Sequence, residues 1–172
     1  IRVPSSIIGN IFNQGGRIKN LVNILDLHAT ILDVAGIKNY KSDGNSIIPL
    51  IMKKNSKWLD EIFIQISESQ LARSLRTKKW KYCINSPSSD PWNDSKSDRY
   101  VEQFLYNLES DPYELNNLIG IREFDTITKK LREKISKFII KHEEIMPKIE
   151  KAQVVENPGQ LGLDPGSFMD GY

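Results

Sequence analysis

The chain has 172 residues, with 39% apolar and 27% charged side chains, 24 Lys plus Arg against 22 Asp plus Glu, and one cysteine. This composition excludes collagen-like and disordered classes, and the lone Cys83 excludes an internal disulfide framework or a multi-cysteine metal cage. A net charge of +2 argues neither for nor against a nucleic-acid partner, and no apolar run reaches the length of a membrane-spanning helix.

Residue 1 is Ile rather than Met, and no charged-then-apolar leader follows it. Residues 2–8 read as a strand with its lead-in, so the chain opens mid-element and is expected to be a piece of a longer protein. Gly9, Asn10, Gly15 and Gly16 bracket a loop. A helix follows, placed to start at Asp26, a good N-cap residue, with Leu27, Ile31, Val34 and Ala35 at helical spacing on its buried face. Gly36 supplies a left-handed stop. Residues 42–46 form a polar turn, 47–51 a short apolar segment interrupted by Pro49, and 53–57 a solvated connector.

The period then changes from helical to alternating. Ile62, Ile64 and Ile66 share one face of a strand; Leu71, Arg73 and Leu75 share a face of a second; Trp80, Tyr82 and Ile84 share a face of a third. Their short connections favour antiparallel pairing, because parallel neighbours need a long crossover. Residues 86–98 read as an exposed loop, 104–108 as a fourth strand, and Ser110, Asp111 and Pro112 as a turn, with Asn117 ending a short helix after it. Between residues 122 and 142 the helical period returns, with Phe124, Ile127, Leu131, Ile135, Phe138 and Ile139 in one stripe. Residues 147–172 read as an irregular tail.

Few motifs of catalysis are present. The chain has no phosphate-cradling loop, no dinucleotide fingerprint and no His-Glu-x-x-His pair. His28 and His142 read as a partly exposed helix residue and a charged helix end. The Asn93-Asp94-Ser95 sequon carries no weight without a secretory context. Charge is distributed unevenly, with eight basic and three acidic residues over 53–81, then seven acids against Lys96 and Arg99 over 82–114. Arg73 stands apart from the lysines, because alternation puts it beside Leu71 and Leu75, where it must be partly buried and needs an anionic or carbonyl partner. A structural ion pair and a substrate contact are both open for Arg73, while Arg76 points to the other face.

Five segments in order resemble the C-terminal part of a sulfatase of the alkaline-phosphatase superfamily. Arg2-Val3-Pro4-x-x-Ile7-Ile8 followed by Gly15-Gly16 resembles a family strand and Gly-rich loop. Asp26-Leu27-x-x-Thr30-x-Leu32-Asp33-x-Ala35-Gly36 resembles its helix, and Asp43-Gly44-x-Ser46-Ile47-x-Pro49-Leu50 the segment after it. Arg73-Ser74-Leu75-Arg76-Thr77-x-x-Trp80-Lys81-Tyr82 and Tyr106-Asn107-Leu108-x-x-Asp111-Pro112-x-Glu114-x-x-Asn117-Leu118 resemble two later family motifs. Ala29 replaces the family's proline, Gly9-Asn10 its Pro-Gly, and Asn107 its Asp.

The resemblance implies an α/β protein: the end of a large sulfatase-type α/β domain over residues 1–58, then a small α+β subdomain over 59–146, in which a four-stranded antiparallel sheet packs on a long C-terminal helix. It implies a sulfuric ester hydrolase in the intact chain, acting on a sulfated small molecule or glycan, with no nucleic-acid or membrane partner. A calcium ion and a formylglycine nucleophile are expected from the preceding part of such a protein, and Cys83-Ile84-Asn85-Ser86-Pro87 does not match the family's Cys-x-Pro-Ser-Arg site. No catalytic residue, metal ligand or cofactor is therefore assigned to these 172 residues, which alone are expected to be inactive. Arg73, Ser69 and Gln70 are the candidates for a wall of the substrate cleft. A phosphodiesterase, phosphonate hydrolase or phosphotransferase of the same superfamily is the nearest alternative. A non-catalytic module holding sulfated glycans or other anions through residues 53–81 is the other.

Overall fold

The computed structural model describes residues 3, 5–12, 15–52 and 57–154. The chain divides into two compact units, Ile1–Asp60 and Glu61–Tyr172.

The first unit is built around α1 (Ile24–Val34) and the single-turn α2 (Ile48–Ile51), which carries Pro49 in its first turn. α1 starts earlier than the sequence places it. Asn23 is its N-cap and Asp26 closes the capping box from the third position, accepting from the Asn23 N–H at 2.9 Å through Oδ2. The other oxygen of Asp26 accepts from the Asn45 N–H at 2.9 Å, and the carboxylate is fully buried. Thr30 donates to the Asp26 carbonyl at 2.5 Å and accepts from the Ile47 N–H at 3.0 Å. Between these bonds Gly44 lies flat on the helix backbone: a Cβ there would stand 2.1 Å from the Leu25 carbonyl oxygen. The helix motif and the Asp-Gly-x-Ser motif are thus two halves of one hydrogen-bonded joint.

This joint turns α1 the other way from the buried face expected. Asp26, Ala29 and Thr30 are the buried residues, while Ile24 is 80% and Ile31 67% exposed, and Val34 lies outside with them. The strand expected over residues 2–8 does not form at the described positions there, which carry no regular structure; positions 1, 2 and 4 lie outside the described residues. A strand needs a neighbour for its N–H and C=O groups, and the described residues of this unit offer none. Gly36 does take the left-handed conformation, with φ +72°.

The second unit is a five-stranded sheet in the order β1 (Glu61–Ser67), β2 (Leu71–Thr77), β3 (Trp80–Asn85), β4 (Arg99–Asn107) and β5 (Lys148–Glu150). The first four strands are antiparallel, as the short connections demand for β1 to β3; β5 is parallel to β4 and comes from the segment read as irregular tail. Its long crossover is α3 (Asp125–Glu143), entered through a 3₁₀ turn at Arg122–Phe124 and ended by Glu144 in a left-handed conformation.

α3 covers one sheet face. Leu131, Ile135 and Ile139 pack on Leu75, Tyr82, Ile84, Tyr100 and Leu105, with Phe63, Trp80, Phe124, Ile127 and Phe138 around them. Phe63 rather than the isoleucines of β1 faces this core, where its ring stacks on Phe138 at 5.5 Å. Midway along, Glu102 is buried among the apolar side chains and is paid for by partners: Tyr82 Oη donates at 2.9 Å, Arg132 Nε at 2.8 Å and the Ala152 N–H at 3.0 Å. The β3–β4 register shifts between Cys83 and Ile84, and Asn117 bonds the β4 backbone where, among the described residues, no further strand pairs with it. Its amide donates to the Gln103 carbonyl at 3.0 Å and accepts from the Leu105 N–H at 2.9 Å, so it imitates a strand residue rather than ending a helix.

Candidate functional site

One end of the sheet gathers polar groups from four elements: the close of β1, the 68–70 turn, the 86–98 loop and the C-terminus of α3. Arg73 organises it. β2 alternation turns this side chain onto the α3 face, where it is 1% exposed, and Glu143 on the last turn of α3 meets it. Arg73 Nε donates to Glu143 Oε1 at 2.6 Å and Nη2 donates to Oε2 at 3.2 Å, a forked pair. Nη1 donates to the carbonyls of Ile66 at 3.2 Å and Ala72 at 2.8 Å, and Nη2 to that of Ser95 at 2.7 Å. All five N–H donors of the guanidinium are therefore spent inside the protein. Arg73 holds the 86–98 loop and the end of β1 against α3, and no donor is left over for a ligand.

The same brace shapes a shallow, open depression of about 470 Å³, lined by Gln65, Ser67, Ser95, Lys96, His142, Glu143 and Glu144. Gln65 Nε2 donates to Glu143 Oε1 at 2.9 Å, and Lys96 Nζ to the Glu143 carbonyl at 3.3 Å. His142 is exposed and stacks on Phe63, 6.0 Å between rings. The loop is held at its base as well: the Ser86 hydroxyl bonds those of Ser89 at 2.8 Å and Ser97 at 3.0 Å. Ser69 is exposed on its turn, and Gln70 is half-buried, its Oε1 accepting from Asn85 at 3.5 Å and Gln103 at 3.4 Å. Sequence reasoning singled out Arg73, Ser69 and Gln70 but not Glu143, the carboxylate on which Arg73 depends. Nothing local in a Lys-His-Glu-Glu helix end marks one of its acids as buried.

At the opposite end part of the uneven charge read from the sequence cancels. Arg76 and Lys81 both reach Glu114, and Lys79 pairs with Glu109 at 3.2 Å. Folding brings the acid-rich stretch back onto the basic one, and with Arg73 on Glu143 four of the eight basic residues over 53–81 meet carboxylates. Half of the positive charge that an anion-binding module would use there is thereby committed.

A family profile described as N-sulphoglucosamine sulphohydrolase, C-terminal, matches residues 1–141. The chain belongs to this family of C-terminal sulfatase domains. Human arylsulfatase K is 27% identical over 148 residues, covering 80% of this chain and 25% of that protein. The ulvan-active sulfatase of Formosa agariphila is 25% identical over 145 residues, covering 70% and 29% respectively. The chain thus spans about a quarter of the length of the curated relatives it matches. In fold it is similar to a protein solved in complex with its substrate D-glucosamine-2-N,6-O-disulfate, with TM-score 0.55 and 21% identity over 71% of this chain and 24% of that one. A Bacteroides thetaiotaomicron protein solved as a candidate sulfatase gives TM-score 0.54 at 19% identity, over 78% and 31%.

Among the described residues no group of three His, Cys, Asp or Glu side chains comes together to hold a metal ion. Cys83 is buried in β3 with its Sγ 3.2 Å from Ser74 Oγ, and burial pushes its thiol pKa up. A raised thiol in the middle of a strand is a packing residue rather than a reactive centre.

Proposed function

We propose that the chain is the C-terminal part of a sulfuric ester hydrolase. Residues 1–58 close a larger α/β hydrolytic domain, and residues 59–146 supply one wall of the cleft for a sulfated saccharide. The observation that carries this reading is the bare stripe of α1. Ile24 and Ile31, 80% and 67% exposed, with Val34 beside them, form an apolar surface that a domain complete in itself would have covered. Residues 5–8 agree with it, since they have strand-like sequence and form no strand among the described residues.

The nucleophile and metal ligands of such an enzyme come from outside this stretch. What the stretch contributes is shape and hydrogen bonding at the cleft: the exposed Ser69 hydroxyl and the Gln70 amide face substrate, while Arg73 and Glu143 fix the 86–98 loop beside them. A saccharide fits because its hydroxyls match such neutral donors and acceptors, and because the family description and the ligand named for one fold neighbour are both sulfated glucosamines.

The test uses the intact protein and this 172-residue chain side by side. The intact protein is expected to release sulfate from a chromogenic aryl sulfate and from a sulfated glucosamine, and the 172-residue chain to release none. Turnover of a phosphodiester but not of either sulfate ester by the intact protein would overturn the reading in favour of a phosphoryl-transfer relative.

A further inference from the structure

The solvent face of α3 carries a feature that neither the sheet nor the cleft uses. Between Asp125 and Glu143 there are six basic residues and three acids. Arg132 and Glu143 are already committed, to Glu102 and Arg73. Of the rest, Lys130, Lys134, Lys137 and Lys141 follow one another at spacings of four, three and four. At 3.6 residues per turn this puts all four within about 60° of one another, in a straight row about 16 Å long. All four are exposed. Lys134 leans to Glu61 on β1, and among the described residues no acid pairs with Lys130, Lys137 or Lys141. Glu133 is the one acid flanking the row on the helix, and His142 lies well round from it, against Phe63.

An ordinary solvated helix face alternates signs at these spacings, because like charges three and four residues apart weaken the helix. Here Lys130 and Lys134, Lys134 and Lys137, and Lys137 and Lys141 are like-charged neighbours. Lys141 gains from the C-terminal helix dipole, which offsets part of this; Lys130, more than three turns from that end, does not. The row is rigid, since the opposite side of α3 is anchored by Leu131, Ile135 and Ile139. It matches an extended polyanion with charges repeated along its length.

We infer that the Lys130–Lys134–Lys137–Lys141 row of α3 is an exosite for a sulfated glycan chain, holding a stretch of the polymer away from the bond being cleaved. The choice of a sulfated glycan over other polyanions rests on the proposed sulfatase reading; the row itself does not. Such a site raises the local concentration of a long substrate and leaves a small one unaffected.

The experiment compares the intact protein with a Lys130→Glu, Lys137→Glu, Lys141→Glu variant, and with the same three positions changed to Gln. Binding to long-chain heparin is measured as a function of salt, alongside hydrolysis of a chromogenic aryl sulfate. The Glu variant is expected to bind heparin on the order of tenfold more weakly at low salt, the Gln variant less so, with unchanged melting and unchanged aryl-sulfate turnover. Lys79→Glu, at a residue paired with Glu109, serves as control and is expected to bind as the parent does. Unchanged heparin binding in the triple Glu variant overturns the inference, as does an equal loss in the Lys79 control. Competition by double-stranded DNA or anionic vesicles as strong as by heparin overturns the choice of glycan. If the intact protein hydrolyses no sulfate ester yet loses heparin binding only in the triple variants, the exosite stands and the sulfatase reading falls.

Discussion

The two units of this chain bury opposite kinds of surface. The second folds around apolar side chains and admits charge only where it is answered, at Glu102 by Tyr82 and Arg132 and at Glu143 by Arg73. The first buries a carboxylate, Asp26, and a hydroxyl, Thr30, beside Ala29 and Ile47, and leaves Ile24, Ile31 and Val34 outside. A helix with its polar joint inward and its apolar stripe outward is the arrangement that the proposed larger domain would cover.

The strongest way to break this contrast is at Arg73. Arg73→Ala leaves Glu143 buried without its cation and frees three backbone carbonyls, so the second unit should lose about 3–5 kcal/mol, read from urea unfolding. A midpoint close to that of the parent would mean that water reaches Glu143 and that the brace is dispensable. In the first unit Gly44→Ala forces a methyl group onto the Leu25 carbonyl, 2.1 Å away. Loss of amide-exchange protection at Asn45 and Ile47, with the second unit undisturbed, is the expected signature; protection equal to the parent's would show that the joint yields cheaply.

Ile31→Ser sharpens the contrast directly. In the 172-residue chain, where Ile31 is 67% exposed, it should change stability by less than about 0.5 kcal/mol. In the intact protein the same change should cost about 2 kcal/mol, as burial of the side chain against a larger domain requires. Equal effects in the two would remove the case for a missing neighbour.

The smallest effect is alkaline. Burial pushes the phenol of Tyr82 up, helped by the Glu102 charge, and burial first, then nearby negative charge, raises that of Tyr106 from 10.0 to about 12. Folding therefore favours the protonated phenols. Their contribution is complete below the ordinary phenol value, declines as pH rises from about 10, and for Tyr106 is gone by about pH 12. Urea midpoints that stay constant from pH 9 to about 12 would contradict the burial of these rings.

Much of the second unit is legible in the sequence because its signals are local. Alternation at Leu71, Arg73 and Leu75 and at Trp80, Tyr82 and Ile84 gives both the strands and the face that meets α3; the stripe from Phe124 to Ile139 gives the helix. Three strands with short connections announce antiparallel pairing. What escapes is long-range: β5, three residues with no pattern of their own, and Asn117, whose amide substitutes for a missing strand partner twelve residues away from Leu105. At the candidate site Arg73 was legible as a buried cation, while its partner lay 70 residues on in an unremarkable acidic helix end.

The periodicity of this sequence determined the antiparallel pairing of β1 to β3, the covering helix and the need of Arg73 for a partner, since each follows from spacing along the chain, while the family showed in the resemblance of five ordered motifs. Tertiary structure alone decided that Glu143 answers Arg73, that four basic residues over 53–81 are matched by carboxylates, and that α1 turns Asp26 inward and Ile31 outward. The reason is that a side chain's period tells which residues share a face, whereas what covers that face is settled by segments distant in the chain.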